Sequence, residues 1–434
     1  MADQPFPLRI LVLGAYGLIG AEVCRHLSGQ GHTVIASGRD ARAAARVLPH
    51  LPFRSADLAR MAATDWPALL DGLDAVVNCA GALQDGPGND LEALHHHALA
   101  TLGAEAAARG IRVVQVSAAG VRADHPTIFF ASKARGDAAL LASGAEAVIL
   151  RPGLVIGQSA YGGTALLRML AAVPWVQPQA LPDTPVQTVA LGDLAQAVET
   201  ALTLPPGTIW DLVEDAAHPL SQVIAAHRHA LGFAPAHLTF TVPEWTLAPT
   251  ARIADALAHL GWRSPLRSTA IRVLDGGVTG DPAPWRARHG PLTPLTDTLS
   301  HAALGPEHRL QARAALLMPL AIATLCLFWL LSGVIALVHL DDAATHLTAI
   351  GWPPGLARAS VAFWSLVDIA LGLAVLHRPS APRACAAMIA TSVIYLASAT
   401  VLTPEMWADP LGPLVKVLPA VMLAALTPTL METR

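Results

Sequence analysis

Two groups of residues in this sequence have types and spacings that could do chemistry. The first is Gly14, Gly17 and Gly20 in "LGAYGLIG", a GxxGxxG spacing between the apolar run Leu8–Leu13 and the helical stretch Ala21–Leu27. Glycines so placed allow a tight turn, close approach of backbone to a pyrophosphate and close packing of helix on strand. The helix N-terminus adds unpaired N–H groups and the positive end of a dipole. Tyr16, Leu18 and Ile19 share this turn and belong to the expected phosphate cradle. The second group is "FFASKARGD", where Lys133 follows Phe129 by four residues, one helical turn along the same face, beyond a strand ending at Ser117. A lysine one turn after an aromatic looks like half of a catalytic pair, yet phenylalanine has no hydroxyl to contribute.

The elements that must position these groups alternate in type. A second strand, His32–Ala36, follows the glycine turn at the distance expected of a dinucleotide fold. Its tip is Ser37–Gly38, then Arg39, where an NAD-selective site would carry an acid. A small residue plus arginine suits a 2′-phosphate, so NADP is expected over NAD. Asp40 is expected to cap the next helix; pointing inward, it would reverse that preference. A third strand in "FRSADL" brings Asp57 and Leu58 to the expected adenine position. Further strands end at Asn78-Cys79-Ala80-Gly81, at Ser117, and, in "AVILRPGLVIG", at Arg151-Pro152-Gly153. The pattern is an α/β Rossmann-like, doubly wound parallel sheet, whose ligands collect at the carboxyl ends of its strands. Cys79, Ala80, Gly81, Ser117, Pro152 and Gly153, at those strand ends, are therefore expected around the cofactor.

Taken in order, GAYGLIG, NCAG, VSAAG, SKARGD, RPGLVIG and "QTVALGDLAQAV" resemble the short-chain dehydrogenase/reductase superfamily, most closely its atypical extended branch with the complex I accessory subunit-like NAD(P)-binding proteins. The resemblance covers about residues 6–300 and is best to about 215. It implies serine, tyrosine and lysine chemistry: a phenol exchanges a proton with the substrate oxygen, and a lysine lowers the phenol pKa and binds the nicotinamide ribose. Ser117 stands in the serine place and Lys133 in the lysine place; the tyrosine place holds Phe129. Of Tyr16, Tyr161 and Tyr395, only Tyr161, after the sixth strand, is placed to reach the nicotinamide.

Other features read as structural. The histidines His95–His97 suggest a metal cluster, but consecutive helical residues point about 100° apart and cannot converge on one ion, so no metal is expected. Asp193 is expected to cap a helix, and residues about 215–305 to form a smaller substrate-side lobe within a domain spanning 1–305.

The chain has 434 residues, 53% hydrophobic and only 14% charged, which is too apolar for an ordinary soluble protein. Its net charge of −4, without a basic run, makes nucleic acid an unlikely partner, and its four scattered cysteines form no disulfide or zinc pattern. The N-terminal run leads into the glycine motif and reads as a core strand, not a signal peptide. Ala314–Val338 carries no charge and would extend roughly 37 Å as a helix, enough to cross a bilayer. With the apolar stretches Leu356–Leu376, Ala384–Leu402 and Leu414–Leu430 it predicts four transmembrane helices over 312–431. The region resembles the DoxX-like four-helix membrane family, notably in "WADPLGPLVKVLPA".

Arg309, Arg313, Arg378 and Arg383 fall on one side of these spans, and Asp341, Asp342, Glu405 and Asp409 on the other. The arginine side should be cytoplasmic, which puts the Rossmann-like domain and both termini, with Arg434, at the cytoplasmic face of an inner membrane. Asp368 stands mid-span, with Lys416 as a candidate partner. Two functions follow as expectations. One is an NAD(P)H-dependent oxidoreductase passing reducing equivalents to a small or lipid-soluble acceptor such as a quinone. The other is a non-catalytic NAD(P)-binding sensor or assembly module on a membrane bundle.

Overall fold

The short apolar runs of the N-terminal half become strands: β1 Arg9–Leu13, β2 Thr33–Gly38, β3 Phe53–Ser55, β4 Ala75–Asn78, β5 Arg112–Val116 and β6 Ala147–Pro152. The computed structural model describes residues 7–84, 90–262, 268–410 and 412–431; Arg434 lies outside them. With Ile209–Leu212 at one edge, the strands form a seven-stranded sheet in the order Ile209–Leu212, β6, β5, β4, β1, β2, β3. All neighbours are parallel.

The strands are apolar without alternation because both faces are covered. Ile10 and Val12 pack on one side with Val77, Val148 and the helix residues Val23 and Leu27. Leu11 and Leu13 pack on the other with Val76, Leu102 and Leu140. Each such burial stabilises the fold by about 1.5–3 kcal/mol. The strand order reverses between β1 and β4, since β2 and β3 continue to one side and β5 and β6 to the other. In an open α/β sheet that reversal leaves a crevice outside the carboxyl ends of the two strands, where ligands bind.

Two expectations about elements change. The expected sixth strand divides after Pro152: the Gly153 N–H joins the edge strand at Leu212, and Leu154–Ile156 leaves to pair with Thr188–Ala190. Asp193 does not cap its helix. The helix Leu191–Ala201 starts behind Ala190, and the Asp193 carboxylate in its first turn accepts the backbone N–H of Thr293 at 2.8 Å.

The chain divides into two compact units, Met1–Arg252 with Pro265–Arg309, and Ile253–Ser264 with Leu310–Arg434. Residues 253–264, expected in the substrate-side lobe, thus group with the apolar helices. There Trp262 donates its indole N–H to the carbonyl of Leu376, and the Arg378 N–H donates to the carbonyl of Leu260.

Among the described residues, Pro306–Val338, Pro354–Ala374 and Ala381–Leu402 are long and apolar enough to cross a membrane. The fourth apolar helix, Val417–Met431, has 15 residues and rises only about 22 Å. Leu320, Leu327, Leu331, Phe363 and Val393 are exposed on these helices, as side chains facing lipid would be. Small residues bring two helices together: a Cβ on Gly333 would stand 2.4 Å from the carbonyl oxygen of Ser365. Asp368 is buried and accepts hydrogen bonds from Ser332 (3.0 Å) and Tyr395 (2.8 Å). Lys416, the partner expected from sequence, is exposed ahead of the fourth helix.

Candidate functional site

The glycine turn closes the end of β1 against the end of β4. Gly14 has φ +71°, and a Cβ there would stand 2.8 Å from the backbone of Ala80. Gly17 is the N-cap of the helix Leu18–Gly29, with no side chain to intrude above its first N–H groups. A Cβ on Gly20 would stand 2.3 Å from the carbonyl of Gly14, so this glycine lets the helix sit down on the turn. Leu18 and Ile19 form the first turn of that helix. Gly14 and Gly20 thus permit the close backbone approaches of the turn, and Gly17 leaves the helix N-terminus without a side chain, the arrangement a pyrophosphate cradle uses.

At the tip of β2, Ser37 is fully buried and its hydroxyl has no hydrogen-bond partner. Asp40 caps the following helix, accepting from the N–H groups of Arg42 and Ala43, as expected from sequence. Its carboxylate therefore points along the chain rather than inward. The Tyr16 ring lies across Gly38, and its oxygen accepts the N–H groups of Arg39 and Asp40, each at 3.1 Å. Asp57 lies two residues past the end of β3, and Leu58 is buried beside it.

Beyond β4, Asn78 donates to Gln115 at 2.8 Å and accepts the N–H of Ala80 at 3.1 Å, which fixes the Cys79-Ala80-Gly81 turn. Burial raises the Cys79 thiol pKa, with Lys133 opposing, so the sulfur stays protonated and inert. Beyond β6, the carbonyl of Pro152 receives the N–H of Ala119, and a Cβ on Gly153 would stand 2.5 Å from the carbonyl of Gln187.

Lys133 lies on the helix Ile128–Ala142 and is buried; its ammonium donates to the carbonyls of Val116 (3.3 Å) and Ser117 (3.4 Å). Burial lowers its pKa, while Asp137 and Cys79 oppose the shift. The Lys133 ammonium thus lies at the backbone of Ser117. The Ser117 hydroxyl, however, donates to the Asp137 carboxylate at 2.7 Å, and Arg151 reaches the same oxygen at 3.3 Å. Burial raises the Asp137 pKa, opposed by Ser117, Lys133 and Arg151. Asp137 follows Lys133 by four residues on the same helical face, a signal that sequence reasoning could have used.

His95, one of the three histidines that read as structural in the sequence, also borders this site. His95 is buried, and a Cβ on Gly81 would stand 3.6 Å from its Nε2 and 3.8 Å from the Lys133 ammonium. The Ala82 N–H donates to Nε2 at 3.2 Å, so the proton is on Nδ1, which donates to Ser132 at 3.0 Å. Ser132 in turn donates to the carbonyl of Phe129. Burial first, and Lys133 second, push the His95 pKa down to about 3, so the ring is neutral. The Phe129 ring packs edge-on to His95 and beneath the Lys133 ammonium, both at 5.8 Å. Tyr161 is more than half exposed in the loop before the helix Gly163–Ala171, its backbone tied to Thr164, and the described contacts do not bring it to Ser117 or Lys133.

The three histidines do not converge. Ala93–His97 is a π-helical turn that carries His95 inward and leaves His96 and His97 outside. With Glu92, the outer pair places ligand atoms within 4.8 Å of one another. Arg135 already grips Glu92, and with His96 holds its pKa down to about 2.

Residues 10–173 match the NAD dependent epimerase/dehydratase family, and residues 326–425 the DoxX-like family. No curated protein matches the chain by sequence. Among solved structures, the chain is similar to the Bordetella bronchiseptica enzyme WbmH in complex with NAD+, with 18% identity, a TM-score of 0.51, and coverage of 68% of this chain and 96% of that one. It is similar to a putative epimerase from Burkholderia cenocepacia, with 19% identity, a TM-score of 0.51, and coverage of 71% and 100%. It is also similar to an NADPH-dependent quinone oxidoreductase from Escherichia coli, with 20% identity, a TM-score of 0.50, and coverage of 67% and 98%. At these identities the structures speak for the fold.

Proposed function

We propose that this chain, an NAD(P)-binding domain of the epimerase/dehydratase type followed by a DoxX-like membrane domain, is a membrane-anchored NAD(P)H-dependent oxidoreductase whose acceptor is small or lipid-soluble, with quinones as the leading class. The observation that carries this reading is the pairing of a complete glycine cradle and a buried Lys133 with Phe129 in the place of the phenol. The dinucleotide, when bound, supplies a hydride. The chain's own residues do the rest: the turn Gly14–Gly20 holds the pyrophosphate, and Lys133 presents its ammonium at Gly81, toward the nicotinamide ribose.

A simple ketone reduced at this site would leave an alkoxide, a strong base that needs a proton donor at once. A quinone oxygen becomes an aryl oxide, a much weaker base that takes its proton from water. Two electrons arrive as hydride, the second proton comes from solvent, and the product is a quinol. The missing phenol thus removes ketone chemistry and tolerates quinone chemistry. The reading includes an inner-membrane placement with the dinucleotide domain at the cytoplasmic face, supported by the arginines that flank the apolar helices.

The engagement of the Ser117 hydroxyl by Asp137 favours a second reading, a non-catalytic dinucleotide-binding module. Both are tested with the full chain in detergent, following NADPH and NADH oxidation with a short-chain quinone and with a simple ketone. Quinone-dependent oxidation well above ketone-dependent oxidation is expected. Tight dinucleotide binding with no turnover on either acceptor would replace the enzyme by the module.

A further inference from the structure

A doubly wound dinucleotide fold reads the ribose 2′ position at the end of its second strand. Here that place already holds an oxygen. The Tyr16 phenol, reaching over from the glycine turn, accepts two successive backbone N–H groups, those of Arg39 and Asp40, at 3.1 Å each. Consecutive N–H groups aimed at one point make a concavity suited to an anion. Gly38 is what admits the ring: a Cβ there would stand 2.5 Å from Tyr16 Cε1. Asp40 spends its carboxylate on Arg42 and Ala43, so it does not repel a phosphate from inside the site. Behind the strand tip, the Ser37 hydroxyl is buried without a partner.

We infer that the Tyr16 phenol is a displaceable stand-in for the ribose 2′-phosphate, so that Tyr16 sets the discrimination between NADP(H) and NAD(H). The inference rests on the dinucleotide reading above and adds a residue that tunes it. NADP(H) can use the two N–H groups only by expelling the phenol, while NAD(H), with a 2′-hydroxyl, can leave it in place. Removing the phenol oxygen alone should then favour the phosphorylated cofactor. Two neutral hydrogen bonds no longer given up correspond to roughly a tenfold gain.

The test is binding rather than turnover. The full chain in detergent, as wild type and Tyr16→Phe, is titrated by calorimetry with NADPH, NADH, 2′,5′-ADP and 5′-ADP. Tyr16→Phe should tighten NADPH and 2′,5′-ADP by several-fold to about tenfold and leave NADH and 5′-ADP within about twofold. Weaker NADPH binding in the variant would show that the phenol donates to the phosphate, and would overturn the inference. So would an equal change for all four ligands, which would mark a general disturbance of the turn. Wild-type protein that binds none of the four would overturn the dinucleotide reading itself, a result distinct from either.

Discussion

In the proposed reading, the chemistry turns on Phe129. Its ring sits within 5.8 Å of both the Lys133 ammonium and the His95 ring, so a hydroxyl added to it would enter a site with a buried cation. Phe129→Tyr should therefore raise reduction of simple ketones; general acid catalysis is worth about 10²–10⁴-fold where geometry allows. The gain should vanish in the Phe129→Tyr/Lys133→Ala double variant, read as initial rates with NADPH. Strong ketone reduction by the wild type, unchanged by Phe129→Tyr, would point to another donor, and Tyr161 would be the first to replace. Much at this scale was legible. Gly14, Gly17 and Gly20 announce their backbone roles by spacing, and Asp40 announces its cap by lying just ahead of an Ala-rich stretch. The spacing of Asp137 after Lys133 was legible, but its engagement of Ser117 was not, because that depends on how a helix lies on a strand end, which no local pattern records.

Elements hold these residues in place, and two of them give measurable consequences. An alanine at Gly20 would drive its Cβ to 2.3 Å from the carbonyl of Gly14 and lift the helix Leu18–Gly29 off the turn, whereas Gly29, at the other end, meets nothing within 4 Å. Gly20→Ala should abolish NADPH binding in calorimetry. Gly29→Ala should keep it and raise stability by about 0.5–1 kcal/mol. The π-helical turn Ala93–His97 has a pH signature. Its buried His95 is neutral, with a pKa pushed to about 3. In the unfolded chain the same ring takes a proton near pH 6.5, so between 6.5 and 3 the unfolded state binds more protons and stability falls with acidification. The full effect is about 1.4 kcal/mol per pH unit. His95→Gln, which keeps an acceptor and a donor without the titration, should show a flatter decline in thermal unfolding below pH 6.5. An identical decline in both proteins would remove His95 as the cause. The sequence hid this turn because a π-helix differs from an α-helix by one residue per turn, and "HHH" reads alike in either.

At the scale of the molecule, the loss of charge near residue 310 made the second unit plain from sequence, and the arginine pattern yields a topology that reporter fusions can check. Fusions after residues 345 and 408 should report the outside, and fusions after 305 and 380 the cytoplasm; a cytoplasmic signal at 345 would defeat the orientation. The C-terminal fusion is the sharpest, because Val417–Met431 is shorter than a bilayer is thick and would need local thinning to cross. An outside signal there would leave three spans. What composition could not reveal is that Ile253–Ser264, with a mixed pattern that reads as an ordinary amphipathic helix, groups with the apolar helices. The chain passes from one unit to the other at 252/253, at 264/265 and again at 309/310. This bears on heredity as much as on architecture. No single break in the gene separates the two parts cleanly: one placed before the first span leaves Trp262 without the Leu376 carbonyl it holds, and one placed earlier strips the first unit of residues 265–309. A chain truncated between them would lack one part and leave the other incomplete.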